Sequence, residues 1–314
     1  MEVVFTFDIK DYQKEELKTK FPELTIHFKK KDAEIEVGNA DVLVTYGGDV
    51  DASLLNQAES LKWIMVASAG VEKMPLAEIA ERNIVLTNVR GIHKTPMAES
   101  VLAHILALRR SLPLIYERKE TKEWGRGIRS SELKDSTALI LGPGAIGSEI
   151  GRLLQAFGVR TIGCNRSGRK AASMDETIIF NELMHKLPKA DYVISVLPST
   201  PETKKLLTAE HFAAMKETAV FMNFGRGDLV DENVLIDVLK NNVIEHAVLD
   251  VFEVEPLPVA SEFWTLENCT ISPHISGLSS KYVERALVIF DENMEKWLKD
   301  DPDLVNKIDL NTGY

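Results

Sequence analysis

The chain has 314 residues, 45% hydrophobic and 27% charged, which is the content of a globular protein of about two domains rather than a disordered or fibrous chain. Acids outnumber bases 48 to 37 for a net charge of −11, and such a surface repels phosphate backbones and anionic lipid, disfavouring nucleic-acid and membrane-surface partners. Two cysteines, Cys164 and Cys269, are too few for a disulfide framework or a multi-cysteine zinc site, so no metal is expected. The start, MEVVFTFDIK, carries an acid early and reads as no secretory leader, and no run approaches the ~18 apolar residues of a membrane span. A soluble cytoplasmic protein is the expectation.

The first hundred residues alternate short apolar runs with helical stretches. Val3 to Phe7 predicts a strand and Lys10 to Lys20 a polar helix. Ala40 to Thr45, Leu61 to Ala67 and Ile84 to Thr87 predict buried strands ended by small-residue loops. Strands separated by helices imply parallel pairing through crossover helices. From Glu99 onward, Val101, Leu102, Ile105 and Leu106 fall at helical spacing, and a polar arm with Trp124, Gly125 and Gly127 follows. A more regular series then begins, with strands in STALILG, VRTIGCN, ADYVISVLP, TAVFMNFG, EHAVLDVF and NCTISPH and helical segments between them. That alternation is the signature of a doubly wound parallel sheet. The last helix, Lys281 to Lys299, is amphipathic.

Gly142-Pro143-Gly144-Ala145-Ile146-Gly147 fits G-x-G-x-x-G, directly after an apolar strand and at the opening of a helix. In that context the first glycine makes the tight turn and the second lets a pyrophosphate approach the backbone. The third allows close helix–strand packing, with the anion on the helix N-terminus at the amides of Ala145 and Ile146. An NAD site places an acid ~20 residues on, for the adenosine ribose. This chain has Cys164-Asn165-Arg166-Ser167 there, with Arg169 and Lys170 behind. Neutral donors and a guanidinium suit a 2′-phosphate, which predicts NADP(H) over NAD(H), with NAD a possible second cofactor.

Three segments place polar groups where later strands end, the edge at which open α/β sheets bind ligands. NFGRGDLVDE supplies Arg226, DVFEVEPLP supplies Asp250 and Glu255, and SPHISG supplies His274. A guanidinium that holds an anion and an imidazole beside an acid suit proton transfer to a carbonyl next to a carboxylate. Singly, each has a bland alternative: a loop arginine that pairs locally, a solvated acid, one of seven histidines. His104, on the apolar-patterned helix, reads as packing.

These blocks, with SVLPSTPETKKLL, ASAGVEKMP and the tail LVNKIDLNTGY in the same order, resemble the D-isomer-specific 2-hydroxyacid dehydrogenases over nearly the whole chain. The resemblance implies two Rossmann-like α/β domains with parallel sheets separated by a cleft. One is a flavodoxin-like substrate domain of residues 1–98 and 278–314, the other a doubly wound dinucleotide-binding domain of residues 99–277. It implies that Arg226 holds the 2-oxoacid carboxylate and carbonyl, that His274 is the general acid/base, and that Glu255 accepts a hydrogen bond from the imidazole and favours its protonated form. Hydride would pass between nicotinamide and C2. Ala69 and Gly70 amides would hold the substrate carboxylate, Leu197 and Pro198 would lie along the adenosine, and Asp250 near the nicotinamide amide. Tyr46, Leu278 and the Trp297 side of the last helix would shape the pocket.

The function implied is an NADP(H)-dependent oxidoreductase acting on a D-2-hydroxyacid/2-oxoacid pair, as a reductase because cellular NADPH is kept reduced. The partners implied are a small 2-oxoacid or 2-hydroxyacid and a second copy, packed through residues 98–132. Two alternatives share the scaffold: a dinucleotide-sensing corepressor, separated by turnover, and a formate- or phosphite-type dehydrogenase, separated by substrate.

Overall fold

The computed structural model describes residues 1–29, 36–68, 70–71 and 74–310. The chain forms two compact units, Met1–His93 with Ser279–Tyr314, and Lys94–Leu278.

The first unit carries β1 (Glu2–Phe5), α1 (Asp11–Lys20), β2 (Thr25–Phe28), β3 (Val42–Thr45), α2 (Ala52–Gln57), β4 (Trp63–Val66), α3 (Leu76–Glu81) and β5 (Val85–Asn88). Its sheet is wholly parallel in the order β2-β1-β3-β4-β5, the flavodoxin-like arrangement. Helices cover parallel sheets on both faces, so VLVT of β3 and WIMV of β4 are buried at every position. The chain's last helix rejoins this unit for the same reason. Its Ala286, Phe290 and Met294 are buried, and the Phe290 ring stacks 6.0 Å from Trp63 and meets Phe5 edge-on at 5.3 Å.

The second unit carries α4 (Lys94–Arg109), α5 (Leu112–Glu120), β6 (Thr137–Leu141), α6 (Ala145–Ala156), β7 (Arg160–Cys164), β8 (Glu176–Ile178) and α7 (Leu183–Lys186). It continues with β9 (Tyr192–Ser195), α8 (Ala209–Ala213), β10 (Val220–Asn223), α9 (Glu232–Lys240), β11 (His246–Leu249) and β12 (Cys269–Ile271), and α10 (Tyr282–Trp297) is the returning helix of the first unit. The sheet order is β12-β11-β10-β9-β6-β7-β8, all parallel. Counted within the unit this is the doubly wound dinucleotide-binding order, and it reverses between β6 and β9.

Four local readings differ from the sequence expectations. The helix expected from Glu99 begins at Lys94, because Pro96 lies in the first turn, where a missing N–H breaks no helical bond. Its Ala98, Val101 and Ile105 pack with Ala138 and Ile140 of β6, so the whole helix goes with the second unit and that unit starts earlier than residue 99. The expected polar arm is preceded by a further helix, α5, none of whose residues is buried although its first half carries Leu112, Leu114, Ile115 and Tyr116. β2 and β8 are also additional; both are short edge strands, and no residue of β2 is buried. No described helix is long and apolar enough to cross a membrane.

Candidate active site

The glycine loop follows β6 at the point where the strand order reverses. Gly142 turns with φ +91°, a left-handed value open to glycine, and donates its N–H to the Cys164 carbonyl at 3.0 Å. A Cβ at Gly147 would sit 2.4 Å from the Gly142 carbonyl oxygen, so α6 can approach the strand only through glycine. Gly144 is the N-cap of α6, no side chain caps that helix, and the space where a Gly144 Cβ would stand is open. First-turn amides with no capping side chain, beside an exposed glycine with open space around it, fit a pyrophosphate. Leu197, buried after β9, forms the wall beside Gly142, while the neighbouring Pro198 carbonyl accepts from the Thr203 hydroxyl at 2.7 Å.

The loop after β7 is shaped by Asn165. Its Oδ1 accepts from the Gly168 amide at 2.7 Å and the Ser167 amide at 3.1 Å, and its Nδ2 donates to the Arg169 carbonyl at 2.8 Å. Asn165 therefore builds the loop, and Arg166 and Ser167 are left exposed on it. The Arg169 Nε donates to Ser167 Oγ at 3.2 Å. Glu202 on the loop after β9 has its carboxyl held below the usual carboxylate range, first by a hydrogen bond from Thr200 and also by the charge of Arg166. An arriving phosphate would share the Arg166 guanidinium with that acid.

The three loops expected to carry chemistry leave adjacent strands, β10, β11 and β12. His274 Nδ1 and Glu255 Oε2 are 2.7 Å apart, with side chains half and one-third exposed. The other Glu255 oxygen accepts from the Phe252 amide at 3.0 Å, so the carboxylate is fixed before it meets the ring. An ionised carboxylate only accepts, which assigns the hydrogen to Nδ1 and leaves Nε2 for another partner. Arg226 sits on the neighbouring loop, its backbone carbonyl held by Asn223 Nδ2 at 2.8 Å. The next residue, Gly227, comes so close to the Glu255 loop that a Cβ would lie 2.0 Å from the Phe252 carbonyl carbon. The sequence shows that glycine without its reason, which is this contact between loops.

Asp250, just after β11, is 1% exposed, and Ser272, Ile275 and Ser276 all donate to its carboxylate. The two serines carry no signal in the sequence, since their partner stands more than twenty residues away.

In the first unit, Tyr282 donates to the Ala67 carbonyl at 2.8 Å and lies 3.1 Å from His93 Nε2, fixing the end of β4. Tyr46 is partly exposed after β3, its ring 4.3 Å from Phe7 and 6.3 Å from Tyr282. Trp297 is corrected: it packs 5.4 Å from Trp63, the first residue of β4, at the opposite end of the sheet from Ala67 and Tyr46. Gly70 accepts from Ser68 Oγ at 2.9 Å; Ala69 lies outside the described residues, as do 311–314 of the tail. Leu278 is exposed at the end of the second unit.

A family model described as D-isomer specific 2-hydroxyacid dehydrogenase, NAD binding domain, matches residues 102–276. A solved structure titled D-isomer specific 2-hydroxyacid dehydrogenase family protein, from Aeromonas salmonicida, superposes with TM-score 0.89 at 35% identity over 98% of this chain and 99% of that one. Glyoxylate/hydroxypyruvate reductase B of Erwinia tasmaniensis is 30% identical over 82% of this chain and 84% of that protein. The NADPH-dependent glyoxylate/hydroxypyruvate reductase of Sinorhizobium meliloti, solved with NADP and sulfate, gives TM-score 0.83 at 27% identity over 100% of this chain and 99% of that one.

Gly227→Ala must push apart two backbones, and overpacking of that kind costs about 1–3 kcal/mol. We expect a clear fall in melting temperature, while Gly48→Ala, at a site with nothing within 4 Å, melts as the parent does. Equal melting of the two variants would contradict the close approach.

Proposed function

We propose that this chain, which belongs to the D-isomer specific 2-hydroxyacid dehydrogenase family, works as an NADPH-dependent reductase of small 2-oxoacids such as glyoxylate and hydroxypyruvate. It is an NAD(P)-dependent oxidoreductase of CH–OH groups, and the observation that carries the reading is the 2.7 Å contact between His274 and Glu255 on adjacent strand-end loops.

NADPH, when bound, supplies the hydride for the carbonyl carbon. The glycine loop and the first-turn amides of α6 would hold its pyrophosphate, and Arg166 with Ser167 its 2′-phosphate. Arg226 holds the substrate carboxylate and the carbonyl oxygen through its planar fork, which orients the acid and draws electrons from the carbon. His274, kept by Glu255 with Nδ1 protonated, gives its Nε2 proton to the oxygen as negative charge develops there. In oxidation the same nitrogen takes the proton back. Because Glu255 is itself tied to the Phe252 amide, the imidazole meets an acceptor already in place.

A second copy is the proposed partner of the face formed by α4, α5 and the arm after them. Ile115, Tyr116 and Trp124 are exposed there at 42%, 62% and 93%. Rings and aliphatic side chains at such exposure are what a subunit interface covers.

Replacing His274 by Ala should lower turnover of 2-oxoacids by about 10²–10⁴-fold, the scale of a lost general acid. Near-parental turnover would remove the assignment. Arg166→Ala should raise KM for NADPH far more than KM for NADH, and an unchanged cofactor ratio would refute the role of that guanidinium. For the assembly, light scattering on the parent should report twice the chain mass and on Trp124→Asp/Tyr116→Asp a single chain; a monomeric parent would end that proposal.

A further inference from the structure

We propose that Asp228, gripped by Ser199, is a positioning residue for Arg226, so that the loop after β9 supports the substrate-holding guanidinium. This rests on the proposed role of Arg226 as holder of the substrate carboxylate, and adds what keeps its backbone in place.

β9 and β10 run parallel and end together, with Ser195 beside Asn223. The segments that follow them stay in contact. The Phe224 amide donates to the Ser195 carbonyl at 2.9 Å. A Cβ at Gly225 would sit 2.4 Å from the Leu197 carbonyl oxygen, so the two segments can touch there only through glycine. Arg226 comes next. Beyond it, Asp228 Oδ2 accepts from the Ser199 hydroxyl at 2.6 Å, and the Asp228 carbonyl accepts from the Lys205 amide at 2.7 Å. The Leu207 amide donates to the Leu229 carbonyl at 3.2 Å, and Leu207 pairs with Val230 as an isolated parallel bridge. Arg226 is therefore held between two fastenings, and both are made to the loop after β9.

An acid on a loop is usually a solvated charge or one side of a weak surface ion pair. Asp228 has a cation near it, Lys204 Nζ at 3.8 Å, but the Ser199 hydroxyl meets the same oxygen at 2.6 Å. A hydroxyl that donates to a carboxylate makes a charge-assisted bond, short and directional where the long ion pair is neither. The Ser199 side of the contact is itself built. The Thr203 hydroxyl donates to the Pro198 carbonyl at 2.7 Å and accepts from the Thr200 amide at 2.8 Å, one residue to either side of Ser199. On the strand side, the Asn223 side chain holds the Gly225 amide at 3.1 Å and the Arg226 carbonyl at 2.8 Å. An arginine fork recognises a carboxylate through two parallel bonds of fixed geometry. A shift of the backbone that carries it is therefore felt as lost affinity for the acid.

The test uses the full-length protein reducing glyoxylate with NADPH. Ser199→Ala and Asp228→Ala should each raise KM for glyoxylate about fivefold and leave kcat within about twofold, the split that marks lost uniform binding. Because the two side chains form one contact, the double variant should be no worse than the poorer single variant. Asp228→Asn keeps an oxygen for the Ser199 hydroxyl while removing the charge that faces Lys204, and should bring KM back to within about twofold of the parent. Lys204→Ala should leave KM where the parent has it. Kd for NADPH, read by fluorescence titration, should stay within about threefold in every variant. In the cofactor-free protein, the amides of Lys205 and Leu207 should exchange with solvent faster in Ser199→Ala than in the parent, a readout that needs no substrate.

Parental KM and parental amide exchange in Ser199→Ala and Asp228→Ala would overturn the proposal. So would additive losses in the double variant, or Asp228→Asn failing as Asp228→Ala does while Lys204→Ala shares the loss, since that is the pattern of an ion pair. A tenfold weaker NADPH complex in Ser199→Ala, with Asp228→Ala at the parental KM, would make Ser199 a cofactor contact instead. Arg226→Ala measured alongside separates the two claims. If it keeps the parental KM and turnover, the role of Arg226 falls and takes the purpose of its support with it. If it loses both while Ser199→Ala and Asp228→Ala match the parent, the support alone falls.

Discussion

Asn223, Leu249 and Ile271 stand side by side across the parallel ladder, Asn223 paired with Leu249 and Leu249 with Ile271. Each is the last residue of its strand. The three chains therefore leave the sheet at one level and in one direction, and what each loop carries arrives within reach of its neighbours. Parallel pairing makes this possible, because every strand then ends at the same edge. Arg226, Glu255 and His274 depend on that shared edge before any side-chain contact is made.

Two acids meet the segment that carries His274. Glu255 is partly open to water and touches the ring. Asp250 is buried and touches only the loop. A buried carboxylate is costly unless it is fully hydrogen-bonded, so the same burial that makes Asp250 demanding makes its four donors hard to give up.

The glycine loop follows the same logic at the other side of the sheet. Close packing of Gly147 on Gly142 brings α6 against β6, and the space beside Gly144 is open at a helix start that no side chain caps. The donors that follow β7 are organised by Asn165, whose side chain is used up in shaping the turn that exposes Arg166 and Ser167. Asn165, like Asp250, was legible in the sequence as a polar residue at a strand end. That it serves the loop was not.

The sequence by itself determined the alternation of strands and helices, the place of the glycine loop, and Arg226, Glu255 and His274 as the residues to watch. Those signals are local: apolar runs, a glycine spacing, polar groups directly after buried strands. It missed β2 and β8, because short edge strands carry little apolar pattern, and α5, whose apolar residues cluster in its first half and are not buried. Tertiary structure alone decided that Trp297 stacks on Trp63 at the far end of its sheet, that Gly227 exists for the Glu255 loop, and that Ser272 and Ser276 close on Asp250. Each of these joins residues distant along the chain, and no local propensity encodes a partner that folding has yet to bring near.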